Sequence, residues 1–388
     1  MPPSPPKASI RAGIPQTNPA LFHAMGFSVG DPAALITLPQ ADGSTETICI
    51  IRDVEMERAR GNVHADKVAC PADYSPAEGL SPDREIATAQ SVAELLRQNN
   101  ITTTETDRSL PLGFAKVLRD AGITVHCDLN AGIMERRQKS EREILLLGDA
   151  QAMTERAVQF LCERIARADA DKHGVLHHDG HPLTSERLHA SVNSFLMEND
   201  YGGPSFIIAG GSQGASCHHT GTGELRTGQP VIVDIFPTNR KTHYCGDCTR
   251  TVVHGDIPDE ISNMHRAVCA AKKDACAAIH PGAFGSDVHR ATIDTLTSLG
   301  FNGGFPPADA PDSFCTMHHG TGHGIGIEVH EPPLLDPSGI PLVENDVLTV
   351  EPGLYRKDLG GVRVEDMVVV TDSGCENLNH LPETLTWK

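Results

Sequence analysis

The sequence predicts an α+β protein of two domains, and three observations carry that expectation. A chain of 388 residues exceeds one typical core. Up to about residue 137, short apolar strands alternate with helical patterns, which predicts a smaller α/β N-terminal domain over residues 1–137. From residue 138 to 388, helices lie between strands at both ends, which predicts an α+β domain built from two similar halves. Hydrophobic content of 39% and charged content of 21% are globular values and exclude extensive disorder.

The opening residues, MPPSPPKASIRAGIPQ, read as a proline-rich, frayed lead-in. They lack the apolar stretch of a secretory signal. Residues 33–52 hold apolar runs around Ala41-Asp42-Gly43-Ser44, a hairpin signal. Ser81-Pro82-Asp83 then opens a helix on which Ile86, Ala89, Val92, Leu95 and Leu96 recur at helical spacing. A short helix from Phe114 to Ala121 and a strand at Ile123–His126 complete this domain. After a charged break at 135–140, a long amphipathic helix is expected over residues 141–168. Strands follow near 205–209, 231–236 and 248–253, and helices over 185–198, 259–279 and 286–299. Two late strands at 347–351 and 362–371 close the chain.

The net charge of −19 argues against nucleic acid or an anionic membrane as partner, because both surfaces are negative. No apolar run approaches the length that spans a bilayer. The 11 cysteines are scattered without a framework spacing, which suggests reduced thiols and a cytoplasmic setting. Cys245-Gly246-Asp247-Cys248 is formally a C-x-x-C, but no second pair completes a zinc site. It enters a strand where redox motifs open a helix, so it reads as coincidence.

Chemistry concentrates elsewhere. Residues 318–332 pack His318, His319, His323 and His330 among four glycines, ending in Glu331-Pro332. Imidazoles bind transition metals and move protons, and glycines let a backbone approach a ligand closely. The glycine spacing does not fit G-x-G-x-x-G, and the run opens no helix after a strand, so phosphate binding is rejected. Four acid-bearing strand segments accompany it. Asp234 stands alone in Val231–Phe236, and Asp247 follows thirteen residues later. Glu351 ends Val347–Val350, and Arg363 and Glu365 share a strand face through the period of two. Taken singly, a strand acid is usually an edge residue or an ion-pair partner, and Arg363 could pair with Glu365 or Asp366. Four lone acids in apolar strands are costly unless they meet a cation. Oxygen-rich sets with one imidazole suit manganese or cobalt better than zinc, and four acids suffice for two ions.

The phrases VIVDIF, YCGDCTRT, HGTGHGIGIEVHEPP, TVEPGLY and GVRVEDMVVVT, in this order, resemble the pita-bread metallopeptidases. That family includes methionine aminopeptidase, prolidase and aminopeptidase P. The resemblance runs from about Glu135 to the C-terminus, and the N-terminal domain looks like the small domain of the creatinase and prolidase branch. It implies a pita-bread catalytic domain over residues 138–388 with two divalent ions, manganese before cobalt or zinc. By position, Asp234 would chelate one ion, His323 and Glu351 the other, and Asp247 and Glu365 would bridge them. His218 matches an active-site histidine, with His219 as a rival one residue away. His330 matches a second histidine that is not a ligand, and His319 one near the substrate in proline-directed members. His318 has no such match and is expected to be packing or surface.

The Arg363-Val364-Glu365-Asp366 phrase resembles the prolidase and aminopeptidase P branch. The implied activity is removal of an N-terminal residue from Xaa-Pro peptides, through a hydroxide shared by the two ions. Glu351 would shuttle the proton, His218 and His330 would hold the carbonyl, and His319 and Arg363 would contact substrate. Prolidase, a creatinase-type hydrolase and a non-catalytic module of the same fold are the alternatives. The resemblance also implies peptide substrates and a homodimer. Two departures matter. The step from Asp234 to Asp247 is two residues longer than usual, which preserves strand phase and is expected to be absorbed at Pro237–His243. With one tryptophan, Trp387, no tryptophan-walled substrate pocket is available.

Overall fold

The computed structural model describes residues 7–203 and 205–387, in two compact units that divide between Arg136 and Arg137. The first unit holds a six-stranded mixed sheet. Its hairpin joins Ala33–Pro39 to Thr45–Ile50, closed by the Ala41–Ser44 turn. The helix Arg84–Gln98 starts where the Asp83 side chain accepts from the Ile86 N–H, and it buries Ala89, Val92, Leu95 and Leu96. Ile86 was expected on that buried face but is 41% exposed, because it sits in the first turn beyond the sheet's reach.

Part of the lead-in expected to be frayed is a strand. Ser9–Gly13 is an inner strand, antiparallel to Ala33–Pro39 and parallel to Thr103–Thr106. Ile10 and Ala12 are fully buried, so two well-placed apolar side chains outweigh the proline-rich composition around them. Residues 1–6, where most of that proline lies, fall outside the described residues.

In the second unit, Ser140 and Glu143 form a capping box that starts the helix Glu141–Ala166. Its face of Ala150, Met153, Ala157 and Leu161 packs on an antiparallel sheet of Ile207–Gly210, Pro230–Ile235 and Cys248–Val253. A five-stranded sheet carries Gly322–Gly324, Glu331–Leu335, Val347–Val350 and Asp366–Val370, and a four-stranded sheet carries Gly353–Arg356 and Gly360–Arg363. The helices Asp259–Ala277 and Gly285–Ser298 cover them.

The chain crosses between these two sheets at Glu351–Pro352 and again at Val364–Glu365. The single strand expected over 362–371 is therefore two strands in different sheets. Glu365 leaves the ladder because its N–H donates to the Thr249 carbonyl at 3.1 Å, while Arg250 donates to its carbonyl at 2.6 Å. Both late acids thus sit where two sheets part, and a crossing is a place where a side chain can leave a sheet face for a cavity.

Candidate metal centre

Asp234 and Asp247 come from one hairpin. Asp234 lies opposite Thr249, two residues past Asp247, so both acids project from the same face. The residues between them turn back in a tip beyond the Thr238–Cys245 bridge, tied down by Asn239, whose side chain accepts from the Lys241 and Thr242 N–H groups. Asp247 is fixed through its backbone. Its N–H donates to Gln151 Oε1 at 2.8 Å, and its carbonyl accepts from Gln151 Nε2 at 2.7 Å. Its carboxylate is left free to face the interior.

His323 is buried, with Nδ1 directed at the Gly324 carbonyl, which leaves Nε2 facing Asp247 Oδ2 and Glu351 Oε1, each at 3.8 Å. Glu365 is buried and accepts from Thr249 Oγ1 at 2.7 Å. Ligand atoms of Asp247, His323 and Glu365 lie within 4.8 Å of one another. These residues fit a cation by two observations. Asp234 Oδ1 is buried with no hydrogen-bond partner, a costly state for a carboxylate oxygen. The acids also crowd one another. Burial first, then Glu365 and Asp234, pushes Asp247 well above its ordinary range, and burial with Glu351 and Asp234 does the same to Glu365. Burial lifts Glu351 to about 7 and lowers His323 to about 3. A neutral imidazole among crowded carboxylates is what a divalent ion requires.

Around this set lies a cavity of about 280 Å³, lined also by His218, His319, His330 and Arg363. The doublet at 218–219 separates in space: His218 lines the cavity, whereas His219 turns away and accepts from the Gly221 N–H at 3.0 Å. His330 stands with its ring 4.3 Å from that of His323. Burial lowers its pKa, with His218 adding to the effect.

Arg363 does not pair with Glu365 or Asp366. Its Nη2 donates to Asp234 Oδ2 at 2.6 Å and its Nη1 to the Tyr355 hydroxyl at 2.8 Å. Asp366 is held instead by Arg250 and Lys272. His319 hydrogen-bonds through both nitrogens, Nδ1 to the Gly320 carbonyl and Nε2 to the Tyr355 hydroxyl, each at 2.7 Å. Neither of its nitrogens is therefore free for the substrate contact expected of it. His318 packs between Phe305 and Tyr355, as a packing residue should.

Sequence reasoning passed over Tyr355, Thr249 and Gln151. The first two lie on apolar strands near a proposed ligand, and strand period alone could have flagged them. Nothing in the sequence points to Gln151, which acts across 96 residues.

Residues 146–372, more than half of the chain, match metallopeptidase family M24. The uncharacterized peptidase YqhT of Bacillus subtilis is 33% identical over 208 residues, 53% of this chain and 55% of that protein, so about half of each is aligned. A Pyrococcus horikoshii protein named Xaa-Pro dipeptidase is 28% identical over 278 residues, 70% of this chain and 71% of its own. The crystal structure of an X-Pro aminopeptidase from Thermotoga maritima superposes with a TM-score of 0.79 at 21% identity, covering 98% of this chain and 97% of that one. That likeness assigns the fold: a pita-bread unit preceded by a smaller N-terminal unit. By the match to its sequence and by that fold, the chain belongs to metallopeptidase family M24.

Proposed function

We propose that this chain is a dinuclear aminopeptidase that removes the N-terminal residue from Xaa-Pro peptides. The observation that supports it best is the gathering of all five expected ligands and three histidines around one cavity. Asp234, Asp247, His323, Glu351 and Glu365 would hold two divalent ions, with manganese favoured because the donors are four carboxylates and one imidazole. Such ions supply polarisation of a carbonyl and a water acidic enough to react at neutral pH.

The chain's own residues do the rest. Glu351, on the cavity wall beside His323, is placed to take a proton and return it to the leaving nitrogen. His218 and His330 line the cavity as N–H donors for the substrate carbonyl as charge builds on it. Arg363 holds Asp234 in place and links it through Tyr355 to His319. Ile207, Phe236, Val329 and Leu334 give the cavity apolar walls suited to a prolyl ring. A prolyl nitrogen donates no hydrogen bond, so such a site must recognise ring shape and the neighbouring carbonyl.

The dipeptidase reading draws support from the Pyrococcus relative's name. The intact ligand set argues against a metal-free hydrolase or a non-catalytic module. Matched peptides decide among them. Xaa-Pro tripeptides should exceed Xaa-Ala equivalents by roughly a hundredfold in kcat/KM. Equal rates would leave a general aminopeptidase, and cleavage of dipeptides alone would make it a prolidase. A homodimer belongs to the same reading and rests on the resemblance. A cytoplasmic setting rests on the cysteine pattern; among the described residues, no helix is long and apolar enough to cross a membrane. Light scattering and cell fractionation test the two.

A further inference from the structure

One acid on the cavity wall has no part in the ligand set. The strand Glu331–Leu335 alternates, so Leu335 is fully buried in the core while Leu334 and the next residue but one, Asp336, face the cavity. His323 pairs with Leu334 in the antiparallel ladder. Asp336 therefore lies two residues further along, roughly 6–7 Å at strand rise, beside Gly320. A peptide whose scissile carbonyl stood near His323 would bring a flanking residue against it.

Asp336 uses one oxygen locally. Its Oδ1 accepts from the Ser338 N–H and hydroxyl, both at 2.8 Å, in a turn closed by Gly339. Among the described residues, Oδ2 has no hydrogen-bond partner. No lysine lines the cavity, and its one arginine, Arg363, is already bound to Asp234. The nearby His289 is lowered by burial, an effect that Asp336 offsets only in part, and its Nδ1 meets the Thr321 hydroxyl at 3.0 Å, which leaves it a weak partner. The turn explains why a side-chain acceptor stands here, but an asparagine would serve it equally well. It does not explain a charge facing the substrate space.

We propose that Asp336 is a specificity-determining residue that binds the cationic side chain of a lysine or arginine flanking the scissile bond. The proposal rests on the peptidase reading and adds the substrate class to it. Two peptide series test it, with Arg, Met or Glu at the first residue and at the third, and proline second throughout. At one of these positions the wild-type protein should favour Arg over Met by about tenfold or more in kcat/KM, as one charge-assisted hydrogen bond provides. Most of the difference should lie in KM. Asp336→Asn keeps the turn acceptor and should bring that ratio to about one. Asp336→Lys should invert it in favour of Glu. Thermal unfolding alongside checks that both variants fold. Equal cleavage of Arg and Met peptides at both positions, or a ratio unchanged in Asp336→Asn, overturns the proposal while leaving the peptidase reading intact. Cleavage of none of the peptides overturns both.

Discussion

Asp234 keeps one oxygen on Arg363 and leaves the other buried without a partner. Leaving such an oxygen bare costs roughly 1–3 kcal/mol, and a bound cation removes that cost. The same reasoning separates the two neighbouring histidines. His323 turns Nε2 toward two carboxylates at 3.8 Å, whereas His330 lines the cavity and feels Asp234 only after burial and His218. His323→Ala should therefore lose metal, and His330→Ala should keep metal while losing most of its turnover, by about a hundredfold or more. Metal analysis beside steady-state kinetics checks this, and the reverse pattern would mean that the two roles are exchanged. At this scale much was legible: a lone acid in an apolar strand stands out because burying it unpaired is so costly. The Arg363–Asp234 pair was not, since its members lie 129 residues apart and nearer acids competed for the arginine. Nor could the sequence separate His218 from His219, because adjacent residues in a loop differ only in where the backbone turns them.

Elements set the tolerances around those residues. A Cβ on Gly246 would fall 2.2 Å from Thr154 Oγ1 and 2.7 Å from the Ala150 carbonyl, both on the helix Glu141–Ala166. Gly246 thus permits the close approach that lets Gln151 grip Asp247 from two sides. Gly246→Ala should force the strand off the helix, lowering stability by about 1–3 kcal/mol and metal content with it. Unfolding curves and metal analysis that match wild type would refute this. The flanking Cys245 and Cys248 are buried, and burial pushes Cys245 up to about 12 and raises Cys248 as well. Neither is a reactive thiolate. Cys245 already contacts Thr238 Oγ1 and Cys248 the Asn379 amide, so serine finds partners in both places. Replacing both should leave activity within a few-fold of wild type, and a larger loss under reducing conditions would show a chemical role. Element types were legible wherever periodicity ran long, as in the helix from Glu141. Breaks imposed from outside were not. The split at Glu365 is made by Thr249 and Arg250, which belong to a distant strand.

The two-part organisation was legible from length and from the change in strand and helix order, whereas the crossings between sheets emerge only once the whole second unit is assembled. Those crossings set Glu351 and Glu365 beside the hairpin acid Asp247, where burial and mutual charge favour the protonated form of each. Glu351 is lifted to about 7 against an ordinary value near 4.5, and Asp247 and Glu365 move the same way. A carboxylate must release its proton to hold a cation, so metal and protons compete for the site. For the metal-free fold, a raised acid gives stability that is present below about pH 4.5 and lost as pH climbs to about 7. His323, lowered to about 3, acts in the opposite sense, giving stability that is present above about pH 6.5 and lost as pH falls toward 3. These slopes oppose each other in unfolding measurements. They do not oppose each other in metal binding, because His323 has already lost its proton across the window while the raised acids have not. Affinity for manganese should therefore rise as pH climbs through about 7, where Glu351 ionises, by up to about tenfold per pH unit for each proton displaced. Calorimetric titration of the metal-free protein in two buffers of different ionisation enthalpy would count those protons directly. About two ions should bind per chain with net proton release below pH 7, and an affinity indifferent to pH would show that the acids do not carry their protons in the empty site.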